Sequence, residues 1–155
     1  MKKLSLLDCT NNEIETLHPF GKEVKLMKVY LDNNKITEIP SVEEDNGLKY
    51  FFGWNDVENF SCSNNLLTEV PNIFNAKSDF VMGTVDFSNN LIDKFEDGED
   101  HRGINASTVN LHHNKFKVFP KLLFEKESPM QTLNLSANGM TTIPKGALKG
   151  KTSLE

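Results

Sequence analysis

Residues 26–40 read Leu-Met-Lys-Val-Tyr-Leu-Asp-Asn-Asn-Lys-Ile-Thr-Glu-Ile-Pro, with apolar side chains at Leu26, Val29, Leu31, Ile36 and Ile39. This spacing is neither the 3.6-residue recurrence of an amphipathic helix nor a sustained alternation. It suits a short strand carrying Val29 and Leu31, a tight bend held by Asn34, and a return segment that Pro40 turns outward by fixing φ.

The pattern recurs along nearly the whole chain. Leu4, Leu7, Cys9, Asn12, Ile14 and Leu17 fill the same slots ahead of it. Behind it come Val57, Phe60, Cys62, Asn65, Leu67 and Val70, then Met82, Val85, Phe87, Asn90, Ile92 and Phe95. Ala106, Val109, Leu111, Asn114, Phe116 and Phe119 make a fifth copy, and Met130, Leu133, Leu135, Asn138, Met140 and Ile143 a sixth. Asparagine thus stands at 12, 34, 65, 90, 114 and 138. An amide both donates and accepts, so it can satisfy main-chain groups of its own bend and of a neighbour that would otherwise be buried unpaired. One such unit cannot enclose a core, but stacked units can. The expectation is a single solenoid domain of six turns, over about 4–25, 26–56, 57–81, 82–105, 106–129 and 130–155. Parallel strands stack ~4.8 Å apart, which gives a gently curved sheet about 24 Å wide. The other side should be irregular, with short helices or 3₁₀ turns after Pro71, Pro120 and Pro144.

The match to LxxLxLxxNxL with an Ile-Pro type ending resembles the leucine-rich repeat family. Asp32–Pro40, Phe119–Phe124 and Thr132–Asn138 are similar to repeats in cell-surface proteins of gut Bacteroidetes. The resemblance implies an α/β solenoid with a parallel concave sheet, and an exported, surface-anchored recognition or adhesion module. Such arrays follow a lipoprotein signal, whereas the start here meets Asp8, Asn11, Asn12 and Glu13 before any apolar core of a leader. The chain is therefore expected to be a segment of a longer protein. An uncapped array also exposes its core at the ends, which makes end-to-end self-association an expectation.

Composition narrows the partners. The 155 residues carry a net charge of −5, and Arg102 is the single arginine among 17 basic residues. No clustered basic face is available to neutralise phosphate, which argues against nucleic acid. Nothing approaches the ~18 apolar residues of a membrane span. Cys9 and Cys62 are too few for a disulfide framework, and two stacked turns separate them by about 10 Å, beyond the ~7 Å reach of a disulfide. Both are expected to be free, buried thiols.

Two returns are irregular. Residues 41–56 contain Leu48, Tyr50, Phe51, Phe52 and Trp54, read as a loop whose aromatics cap the convex side or, alternatively, as an aromatic platform for a glycan or peptide. Residues 96–101 (Glu-Asp-Gly-Glu-Asp-His) form an acidic turn without the ligand spacing of a calcium loop.

No catalytic, metal or cofactor constellation emerges. His112 and His113 are adjacent, and successive strand side chains point to opposite faces, so they should not converge on one metal. There is no nucleophile–His pairing and no phosphate-cradling glycine loop, which points away from an enzyme. Asn59, Asn105 and Asn134 each begin an Asn-X-Ser triplet, attributed to the composition of Asn- and Ser-rich strands.

The informative surface is the concave sheet, which solenoids use for binding. Its candidate contact residues are Lys28, Tyr30, Asp32, Asn59, Ser61, Thr84, Asp86, Ser88, Asn110, His112 and Asn134. The expected partner is a protein, with a glycan as the alternative ligand. The competing readings are a structural spacer in a multidomain surface protein and a cytoplasmic regulatory repeat domain.

Overall fold

The computed structural model describes residues 4–20, 24–40, 42–43, 49–50, 57–72, 81–96, 104–124 and 129–149. Six strands are placed in the slots expected from the repeat: β1 (Leu6–Asp8), β2 (Lys28–Tyr30), β5 (Asn59–Ser61), β7 (Met82–Asp86), β9 (Ala106–Asn110) and β10 (Thr132–Asn134). They form one parallel sheet in the order β1-β2-β5-β7-β9-β10. Two short pairs flank it. β3 (Val42–Glu43) pairs antiparallel with β4 (Lys49–Tyr50), and β6 (Glu69–Val70) runs parallel with β8 (Lys94–Phe95).

Register is unbroken. Leu7, Val29, Phe60, Val85, Val109 and Leu133 lie side by side across the sheet and face the core. Slipping any strand by one residue would put polar side chains in their place, so burial of one face fixes the pairing. Coil three spends its volume on Phe60 and keeps Cys62 small, whereas coil four has Val85 followed by Phe87. The two phenyl rings meet across the coil boundary with centroids 5.5 Å apart and planes inclined at 57°. Large and small residues are thus exchanged between neighbouring turns, which keeps the core filled without a uniform leucine pattern.

The ladder asparagines work between coils as well as within them. Asn34 Nδ2 donates to Leu31 O (3.0 Å) in its own turn and to Cys9 O (2.9 Å) in the preceding one, while its Oδ1 accepts Ile14 N–H at 3.0 Å. Asn65, Asn90, Asn114 and Asn138 repeat this, with Oδ1 accepting from Ile36, Leu67, Ile92 and Phe116. Asn12 differs: it is exposed, and its Nδ2 bonds only Cys9 O and Thr10 O of its own coil.

The residue before each ladder asparagine is left-handed: Asn11, Asn33, Asn64, Asn89, His113 and Ala137 have φ of 51–58°. Asparagine tolerates this region better than most L-residues, which explains the Asn-Asn pair in four coils.

On the convex side, Lys121–Phe124 is a 3₁₀ turn, as anticipated after Pro120. The segment after Pro144 forms hydrogen-bonded turns, with Ala147 N–H on Pro144 O and Lys149 N–H on Gly146 O, both at 3.0 Å. The return after Pro71 beyond Asn72, the aromatic run 51–54 and the acidic turn 97–101 lie outside the described residues. Both cysteines are free, but only Cys62 is buried. Cys9 is half-buried, because the sheet places its coil at the β1 edge with a neighbour on one flank alone.

Candidate functional site

The sheet face turned away from the core carries two rows in strand register. One is Leu6, Lys28, Asn59, Thr84, Thr108 and Thr132; the other is Asp8, Tyr30, Ser61, Asp86, Asn110 and Asn134. A third row follows the strands: Thr10, Asp32, Ser63, Ser88, His112 and Ser136. All eleven candidate contact residues fall on these rows.

Their side chains divide into two groups. In four coils the second-row residue caps the main chain two positions on. Asp8 accepts Thr10 N–H (3.0 Å), Asp86 accepts Ser88 N–H (2.8 Å), Asn110 accepts His112 N–H (3.3 Å) and Asn134 accepts Ser136 N–H (3.0 Å). Asp and Asn serve here because a short side-chain oxygen can reach the N–H at i+2. Asn110 Nδ2 also donates to Asp86 Oδ2 at 2.9 Å across the coil boundary. Hydrogen bonds from the Thr10 hydroxyl and N–H hold the Asp8 carboxyl below its ordinary value, against a smaller opposing effect of desolvation.

Coils two and three break the rule. Tyr30 has no oxygen within reach of its own turn, and Ser61 makes no such cap. Asp32 supplies one from the preceding coil. Its Oδ1 accepts Ser63 N–H at 2.7 Å, the Ser63 hydroxyl at 2.8 Å and the Ser61 hydroxyl. The sequence motif does not reveal this exchange, since the partners are about thirty residues apart; the absence of Asp or Asn at 30 and 61 was the available signal.

Asp32, Ser61, Asp86, Asn110 and Asn134 are therefore tied to the architecture through at least one polar atom. Ser88, expected on the binding surface, is 3% exposed and lies beneath it, where its hydroxyl meets Asn89 Nδ2 at 3.4 Å. Lys28, Tyr30, Asn59 and Thr84 keep their side-chain polar groups unbonded among the described residues, and Thr108 and Thr132, which the candidate set omitted, continue their row in register.

His112 and His113 lie ring to ring, with Nδ1 atoms 2.6 Å apart and planes inclined at 78°. Alternation fails because His113 is left-handed and swings its ring back over its neighbour. No group of three or more His, Cys, Asp or Glu side chains among the described residues could hold a metal ion. A shallow hollow of about 320 Å³ lies off this face, lined mainly by Glu38, Ile39, Leu66, Glu69, Pro71 and Glu96. No helix among the described residues is long and apolar enough to cross a membrane.

The architecture is that of the leucine-rich repeat. A leucine-rich repeat protein from Bacteroides eggerthii superposes with a TM-score of 0.80 over 97% of this chain at 41% identity. One from Bacteroides thetaiotaomicron gives 0.80 over 97% at 45% identity. The chain spans 25% and 18% of those two structures. Among curated proteins, mouse podocan-like protein 1 is 28% identical over 151 residues, covering 94% of this chain and 25% of the relative. Human lumican is 38% identical over 81 residues, covering 50% of this chain and 22% of the relative. The chain thus spans about a quarter of the length of the relatives it matches. No family model matches the chain.

Proposed function

We propose that this leucine-rich repeat array is a non-catalytic recognition module that takes a protein partner on its concave sheet. The observation that carries the reading is the division of labour on that face. Asp8, Asp32, Asp86, Asn110 and Asn134 are consumed by capping, yet Lys28, Tyr30, Asn59 and Thr84 form a contiguous set with uncommitted side chains across β2, β5 and β7. Tyr30 occupies a second-row position that makes no local cap, and Asp32 beside it caps Ser63 N–H of the next coil, where Ser61 makes none. A large amphipathic ring, surrounded by small polar neighbours, has the chemistry of an interface anchor. Thr84, in register with Asn59 and Lys28 in the neighbouring row, adds a hydroxyl on a rigid frame, so little side-chain entropy is lost on docking.

A place at the bacterial cell surface, with adhesion or recognition as the role, belongs to the same proposal and rests on the resemblance of the repeats alone. The experiment is affinity capture from host extracts and medium with the wild-type chain, Tyr30→Ala and the off-face variant Lys121→Ala. The expected result is a protein captured by wild type and Lys121→Ala but weakened about tenfold or more by Tyr30→Ala. Equal capture by all three would remove the concave sheet from the reading. A partner lost on glycosidase treatment of the extract would replace protein by glycan.

A further inference from the structure

The fifth coil differs from the others in carrying two imidazoles at its bend. At the left-handed position, where four coils have asparagine and the sixth has Ala137, it has His113, preceded by His112. In an extended strand two successive rings would leave on opposite faces. The φ of 51° at His113 turns the second ring back, so that the two Nδ1 atoms stand 2.6 Å apart and the ring centroids 4.8 Å. His112 is half-buried and His113 exposed, so solvent and small ions reach the pair.

The backbone beneath the rings is clamped from both neighbouring coils. His112 N–H donates to Asn110 Oδ1 (3.3 Å), and His112 O accepts from Asn89 N–H of the preceding coil (2.9 Å) and from Asn114 Nδ2 (3.3 Å). His113 N–H donates to Ser136 O of the following coil at 3.0 Å. The two rings therefore meet on a fixed frame, with no loop left to order. Apart from their mutual contact, neither ring bonds another group among the described residues.

We propose that His112 and His113 form a two-imidazole chelate for a divalent transition metal of tetragonal preference, Cu²⁺ above all. Imidazole nitrogen binds such ions at about 2.0–2.1 Å, which sets two nitrogens about 2.9 Å apart at adjacent corners of a square and about 3.3 Å apart in a tetrahedron. The observed 2.6 Å lies nearer the square, and the softness of imidazole places Cu²⁺ first among the divalent ions. In the pair as it stands, one Nδ1–H donates to the other Nδ1. Chelation needs both lone pairs, so the donor ring moves its proton to Nε2 through water, and the neutral pair keeps the same number of protons. No third His, Cys, Asp or Glu joins the pair among the described residues, so the remaining positions fall to water or to a donor from a bound molecule. The site does not depend on what the concave sheet takes as its partner.

The test is titration of the full chain with Cu²⁺ near neutral pH, followed by calorimetry and electron paramagnetic resonance. His112→Ser and His113→Asn install residues that other coils carry at the same slots, so the fold is retained, which circular dichroism checks. His18→Asn and His101→Asn control for the other imidazoles. The expected result is a Cu²⁺ site whose spectrum shows two nitrogen donors in wild type and in both controls. His112→Ser and His113→Asn should each weaken it about tenfold or more. No such site in wild type up to about 100 μM Cu²⁺ overturns the inference, as does a site that survives in both His112→Ser and His113→Asn. Tighter binding of Zn²⁺ than of Cu²⁺ overturns it as well.

Discussion

The carboxylate of Asp32 accepts the main-chain N–H of Ser63 at 2.7 Å, one coil later in the array, and so replaces a cap that Ser63's own coil does not provide. Removing it by Asp32→Ala leaves that N–H half-buried and unpaired. The expected loss is about 1–3 kcal/mol in urea unfolding. Adding Ser61→Asp should recover most of it, because Asp at that slot caps the i+2 N–H, as Asp86 does for Ser88. No recovery in the double variant would show that Asp32 contributes through something other than the cap.

The ladder is worth more where it is buried. Asn90 Nδ2 donates to the carbonyls of Cys62, Phe87 and Ser88, and its Oδ1 accepts Leu67 N–H, all inside the stack. Asn90→Ala should cost about 1–3 kcal/mol, since Leu67 N–H loses its acceptor inside the stack, whereas the Phe87 and Cys62 carbonyls keep Asn114 and Asn65 as donors. Asn12→Ala breaks only exposed bonds and should cost less than about 1 kcal/mol. Equal losses would mean the bridging bonds carry little.

Left-handed backbone predicts a gain. Ala137 has φ 53°, a conformation that costs a residue with an unassisted Cβ. Ala137→Gly or Ala137→Asn should raise stability by about 0.5–1 kcal/mol. Asn64→Ala, at φ 51° in coil three, should lower it by a similar amount. A thermal unfolding series on these three variants decides the matter.

Burial and the nearby Asp32 charge push the Cys62 thiol far above its ordinary value of 9.0. The folded chain then keeps this proton at a pH where the unfolded chain releases it. Stability is thus unaffected below about pH 8 and falls as pH rises through the unfolded thiol's range, by up to about 1.4 kcal/mol per pH unit. Cys62→Val should remove that part of the alkaline slope. A bulky thiol reagent at neutral pH should modify half-buried Cys9 faster than buried Cys62.

From the amino-acid sequence follow the solenoid, the six strand slots, the inward rows and the ladder asparagines. These are legible because stacking identical turns forces one local pattern to recur, and burial of Val29, Phe60 or Val109 cannot tolerate a shifted register. Lys28, Tyr30, Asn59 and Thr84 share one sheet face, where strand alternation alone puts them. Tertiary structure decided which of the outward residues have free side chains. Asp86, Asn110 and Asn134 look like ligand-facing polar groups in the chain, yet each caps a bend. Ser88 lies underneath the surface, and His113 turns back on His112 because one φ is positive. The cross-coil service of Asp32 depends on which groups meet between turns. A repeat fixes what each coil buries, but only the stacked coils show which hydrogen bonds pass from one turn to the next.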